Sequence, residues 1–121
     1  MSIFFKPEER DKSIFPHDVF KSLVVPRPIG WISSISKNGE TNLAPYSFFS
    51  GCYTYPNIVS FCPEGNKDSK NFVLETKEFV FNLVSKNLID EMNTSSEGLP
   101  MGSSEFETTK LTPLDSVVIK S

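Results

Sequence analysis

A mainly β domain with short helices is the fold class this sequence predicts, and three observations predict it. Residues Ile29–Ser36 and Glu78–Val84 alternate between two faces, Asn38-Gly39 sits between two strand-like runs, and prolines and glycines bound the other short apolar runs. At 121 residues the chain supports one domain with a single core, small for enclosing a cofactor alone, so a homodimer is expected.

Residues 1–16 are charged and broken by Pro7 and Pro16, which predicts a mobile or edge-lying arm, with a domain over 17–121 whose core begins near Val19. Leu23-Val24-Val25 is an apolar run stopped by Pro26-Arg27-Pro28. In the strand that follows, Trp31, Ser33 and Ile35 share one face and Ile32 and Ser34 the other. Asn38-Gly39 predicts a type I′ turn, because both residues tolerate positive φ, and Thr41–Ala44 should return antiparallel to Ile32–Ser36. Pro45 lacks an amide hydrogen, so it is expected to end the pairing and send Tyr46-Ser47-Phe48-Phe49 off the ladder.

Ile58–Cys62, bounded by Pro56-Asn57 and Pro63-Glu64-Gly65, predicts a third core strand. Asn66 or Asp68 can cap a helix running to about Thr76, with Phe72, Val73 and Leu74 as its apolar residues. Glu78–Val84 reads as a strand, and Ser85 as the cap of a short helix through Met92 with Leu88, Ile89 and Met92 on one stripe. Asn93–Thr112 has little periodicity and reads as a long excursion whose Leu99, Met101, Phe106 and Leu111 could lie over a neighbouring surface. Val117-Val118-Ile119 looks like the start of another strand. No internal repeat or inter-domain linker is visible.

A charged fraction of 22% and a net charge of −3 give no basic tract for nucleic acid or an anionic membrane. No apolar run reaches the roughly 20 residues a spanning helix needs, and Met1–Lys6 turns polar too soon for a signal peptide. A cytoplasmic protein is the expectation. Cys52 and Cys62 lack CxxC spacing and a neighbouring histidine, so they are expected to be buried, inert thiols rather than metal ligands. His17, the single histidine, stands beside Pro16 and Asp18 and reads as a surface or capping residue. No metal site and no catalytic side chain is expected; chemistry, if present, should come from a cofactor.

One stretch, Pro26–Ser69, carries the candidates for holding it. Trp31 and the backbone of Ile32, Ser33 and Ser34 can border a flat ring, while Ala44 is small and Pro45 leaves nearby amides free to face a ligand. Asn42, Tyr46 and Ser47 add polar atoms, and Leu43 lies between Asn42 and Ala44 in the same segment. Lys67 and Ser69, with the amides of the next helix start, form a positive end suited to a phosphate, and Asp68 between them would cap that helix. Taken singly, each piece has an ordinary explanation: Trp31 as packing, Asn38-Gly39 as a turn, Lys67 as a solvated charge. In this order they look like a cradle for flavin mononucleotide (FMN).

Over most of 19–113 the chain resembles the flavin reductase-like family with the FMN-binding split barrel, the group that includes flavoredoxin-type proteins. The residues that carry the resemblance are Arg27–Ser33, Asn42–Phe49, Lys67-Asp68-Ser69, Phe79–Val84, and Ser104-Glu105-Phe106 with Leu111-Thr112-Pro113. It implies a Greek-key antiparallel split β-barrel that dimerises and holds FMN at the subunit interface. In such proteins the segments matching Trp31–Ser34 and Asn42–Ser47 line the ring and ribityl chain, and the one matching Lys67–Ser69 meets the phosphate. Hydride would pass from NADH or NADPH to flavin N5 and on to flavin, oxygen or a partner, needing no protein acid or base beyond positioned donors. Family members usually continue beyond Ile119-Lys120-Ser121, so the barrel is expected to be incomplete at its C-terminal end, whether as a shortened relative, a gene fragment or a variant that completes its sheet by dimerising. Two other readings stay open: an FMN-binding electron carrier or sensor without nicotinamide turnover, and a cofactor-free interaction protein.

Overall fold

The computed structural model describes residues 4–100 and 103–121. The start of the expected N-terminal arm, residues 1–3, and the expected surface contact of Met101 lie outside the described residues.

Two strands form the centre of the molecule: β1 (Gly30–Ile35) and β2 (Thr41–Tyr46), antiparallel with Ile32 opposite Ala44 and Ile35 opposite Thr41. The connecting turn is closed by the Gly39 N–H to the Ser36 carbonyl at 3.1 Å and the Ser36 N–H to the Glu40 carbonyl at 2.9 Å. Gly39 has φ +88° whereas Asn38 stays at negative φ, so the turn is not type I′. One left-handed residue suffices here because the loop is longer than two residues.

Pro45 does not end the ladder: it pairs with Trp31, and Tyr46 pairs with Gly30. The reason is parity. Ser36 and Glu40 are a bonded pair, antiparallel pairs alternate between bonded and non-bonded, and five steps on Trp31 and Pro45 fall on a non-bonded pair. The nitrogen of Pro45 therefore faces away from β1, on an edge strand, where no donor is required. By the same parity the Leu43 N–H also points outward.

The remaining strands are β3 (Phe49–Tyr53), β4 (Ile58–Phe61) and β5 (Val80–Asn82). One sheet has the order β2-β1-β5 and the other pairs β3 with β4, all antiparallel. Among the described residues the sheets remain open rather than closing into a barrel. Aromatic pairs join them: Phe49 stacks on Phe81 with ring centroids 4.6 Å apart, and Phe61 meets Tyr46 at 5.1 Å and Phe79 at 5.0 Å. Gly30 is buried beneath Phe49, where a Cβ would lie 2.6 Å from the ring carbon Cγ.

Among the described residues four α-helices surround the sheets: α1 (Val19–Leu23), α2 (Asp68–Thr76), α3 (Ile89–Thr94) and α4 (Glu105–Thr109). Asp18 caps α1, accepting the Lys21 N–H at 3.0 Å. Among the described residues Trp31, Ile32, Leu43 and Phe72 are the buried apolar ones, so the core begins at β1 and not near Val19; Phe20, Leu23 and Val25 are exposed. None of the described helices is long and apolar enough to cross a membrane.

Several other sequence expectations are corrected. Ile58–Phe61 is a mostly exposed strand on β3, not a core strand. Cys52 and Cys62 are free but exposed, not buried. The strand expected over Glu78–Val84 contracts to Val80–Asn82. Ser85 precedes a 3-10 turn over Lys86–Leu88 without a side-chain cap, and the helix proper starts at Ile89. The expected excursion contains α4, and Val117-Val118-Ile119 forms no strand.

Candidate functional site

The outward edge of β2 meets the start of α2 and the segment after α3, and a cavity of about 180 Å³ lies between them. Asn42, Ala44, Pro45 and Tyr46 line it from β2, Lys67, Asp68 and Ser69 from the start of α2, Ser95–Leu99 from the segment after α3, and Glu105 from α4. Seven of the residues singled out in the sequence thus converge although 20 or so positions separate the two groups.

A hydrogen-bond network fixes the walls. Glu105, 7% exposed, takes the Asn42 amide on both oxygens at 3.1 and 3.0 Å and the outward Leu43 N–H at 3.1 Å. The other end of Asn42 accepts the hydroxyl of Ser69, which is fully buried in the first turn of α2. Ser104 and Thr41 join the start of α4 to β2 through their hydroxyls at 2.9 Å, and Thr109 returns its hydroxyl to the Glu105 carbonyl at 2.7 Å. Trp31 lies behind the cavity, its indole N–H donating to Ser95 Oγ at 2.9 Å.

Burial pushes the Glu105 carboxyl above its ordinary range, and the Asp68 charge adds to the rise; the Leu43 N–H, its own backbone N–H and the Asn42 amide oppose it. The Tyr46 phenol is likewise raised, first by burial and then by the Glu105 and Asp68 charges, against a hydrogen bond from Ser69. These two groups and the Asp68 and Glu97 carboxylates face one cation among the lining residues, Lys67.

An anion fits one end of this cavity. Lys67 is the N-cap of the nine-residue α2 and makes no side-chain cap bond, nor does Asp68 supply one from its place at the first helical position. The first-turn amides are therefore left without a side-chain acceptor, beside an ammonium group. Pockets that enclose a whole ligand run to about 300–1,000 Å³, so this space has room for a phosphate-sized group and not for a whole nucleotide.

The other residues singled out lie apart. Trp31, Ser33, Ser34 and Leu43 line a second, more apolar cavity of about 580 Å³ on the opposite side, with Val80, Phe81 and the segment 111–116. Ser34 Oγ is buried there without a partner. Ile32 is fully buried, and Ser47 lines neither cavity. Glu105 and Ser95 were given no role by the sequence reading. The one signal for Glu105 was its place in Ser104-Glu105-Phe106, where its burial could not be read.

A family model described as a flavin reductase like domain matches residues 22–120. An uncharacterized protein of Aquifex aeolicus (strain VF5) is 42% identical over 104 residues, which cover 82% of this chain and 53% of that protein. Nitrilotriacetate monooxygenase component B from Bacillus cereus superposes with a TM-score of 0.82 at 29% identity, over 99% of this chain and 61% of that one. A protein of Shewanella frigidimarina NCIMB 400, described as having a split barrel domain, superposes with a TM-score of 0.77 at 19% identity, over 98% of this chain and 61% of that one, and bears on the fold alone. The chain spans about half the length of the curated relatives it matches.

Proposed function

Because the chain belongs to the flavin reductase-like family, we propose that it binds FMN and acts as an oxidoreductase of flavin-reductase type, drawing hydride from NADH or NADPH. The observation that carries this reading is the meeting of the β2 edge with the uncapped start of α2 around one small cavity. Lys67 and the first amides of α2 would hold the phosphate. Ala44, Pro45 and Tyr46 would border the rest of the nucleotide along the strand edge. When bound, FMN supplies the two-electron redox chemistry, accepting hydride and passing electrons to flavin, oxygen or a partner.

The chain's own part is to bind and orient the nucleotide. The cavity is too small for a whole FMN, which favours a homodimer in which a second copy covers the ring. Two free cysteines suit a cytoplasmic setting.

FMN titration followed by quenching of flavin fluorescence tests the binding, and anaerobic bleaching of the flavin band by NADH tests the hydride step. Lys67→Ala should weaken FMN binding by about 1.5–3 kcal/mol, the range for a hydrogen bond to a charged group. Protein that leaves FMN fluorescence unchanged ends the flavin reading. Binding without bleaching would leave a carrier.

A further inference from the structure

Asn42 and Ser69 sit where a bound nucleotide would be expected to use them, yet their polar groups are already engaged with each other and with Glu105. Asn42 is 5% exposed and Ser69 is fully buried. The Asn42 amide nitrogen is taken by the Glu105 carboxylate, at 3.1 and 3.0 Å, and its oxygen by the Ser69 hydroxyl. The three side chains therefore form a continuous link from α4, across the edge of β2, to the first turn of α2. Ser69 is the first-turn residue of α2 through which these contacts reach β2, at Asn42 and at Tyr46.

We infer that Glu105 is a positioning residue: acting through Asn42 and Ser69, it fixes the first turn of α2 against the edge of β2 and so sets the place where the phosphate end of a flavin nucleotide is received. This rests on the flavin reading and adds to it a residue that does not touch the ligand. A carboxylate suits the task because it only accepts, and all three of its neighbours' contacts here are donated to it. Its charge works against the task. Tyr46 from β2, Lys67 and Asp68 from α2 and Glu97 from the segment after α3 share the cavity, so Glu105 adds a third carboxylate to a site meant for an anion. What the carboxylate contributes there, against that repulsion, is its acceptors.

The test separates acceptor from charge by comparing two neutral variants, Glu105→Gln and Glu105→Leu, with FMN and with riboflavin, which lacks the phosphate. The Gln side chain can still accept from Leu43 and Asn42 through its remaining oxygen; Leu accepts nothing. FMN should bind about tenfold more weakly to Glu105→Leu than to Glu105→Gln, the equivalent of one lost hydrogen bond. Riboflavin should bind both variants alike. A general loss of structure would weaken both ligands together, which overturns the inference, as does equal FMN affinity in the two variants. Should Glu105→Leu fail to fold, Asn42→Ala breaks the same link at its middle and should show the same selective loss of FMN affinity; retention of the wild-type FMN-to-riboflavin ratio would overturn the inference. Wild-type protein that binds neither flavin ends the flavin reading together with this one, whereas wild-type binding of FMN with unaltered ratios in the variants ends this one alone.

Discussion

At the scale of single residues, Glu105 has a second consequence that needs no ligand. Its carboxyl is raised in the folded state above the ordinary value of 4.5, with burial the first cause. An acid whose folded pKa exceeds its unfolded one favours folding in its protonated form. That contribution is complete below about pH 4.5 and is lost as the pH rises through the raised folded value. Glu105→Gln cannot titrate. The difference in Tm between wild type and Glu105→Gln should therefore shift against the wild type as pH is raised from acid to neutral, in thermal melts followed by circular dichroism. A difference constant across that window would mean that the carboxyl is solvated and unshifted. The sequence could not disclose this residue, because a buried glutamate and an exposed one look alike until their neighbours are known.

At the scale of elements, β1 meets β3 closely at Gly30. Gly30 lies under the Phe49 ring, and the next carbon outward would sit 2.6 Å from Cγ and 3.1 Å from Phe49 Cβ. The ring cannot yield freely, since its other face stacks on Phe81. Gly30→Ala should therefore destabilise the protein by about 1–3 kcal/mol, the usual cost of overpacking, read as a lower urea midpoint; an unchanged midpoint would show that the two sheets are loosely joined. The same elements show what the sequence could reveal. The β1–β2 hairpin and α2 were legible because alternation, an Asn-Gly turn and a short apolar cluster are local signals. Pro45 was misread because its tolerance depends on ladder parity and an edge position, both set by pairing. β3 escaped notice because Ser50, Gly51 and Cys52 interrupt its apolar residues and only Phe49 is partly buried, and α4 because the residues it buries are Glu105 and Thr109. Val117-Val118-Ile119 has strand composition, but no strand described here pairs with it.

At the scale of the whole molecule, the candidate site and the fold's stability are linked by mass action. The cavity is built from β2, α2, α4 and the segment after α3, so a ligand there binds only the folded arrangement. FMN present at 100 times its Kd should then add about 2.7 kcal/mol to stability. A change of 1 kcal/mol moves Tm by about 4–8 °C in domains of 60–100 residues and by about 2–4 °C in those of 150–250. For 121 residues the rise expected from FMN is about 10 °C. Riboflavin at the same concentration should give a distinctly smaller rise, because Lys67 and the uncapped amides of α2 have no phosphate to meet. Lys67→Ala should bring the FMN shift down toward the riboflavin shift. Equal shifts from the two flavins in the wild type would mean that the phosphate lies free of the helix start. The ring would then have to provide the affinity, and the larger cavity beside Trp31 and Ser34 would become the place to look for it.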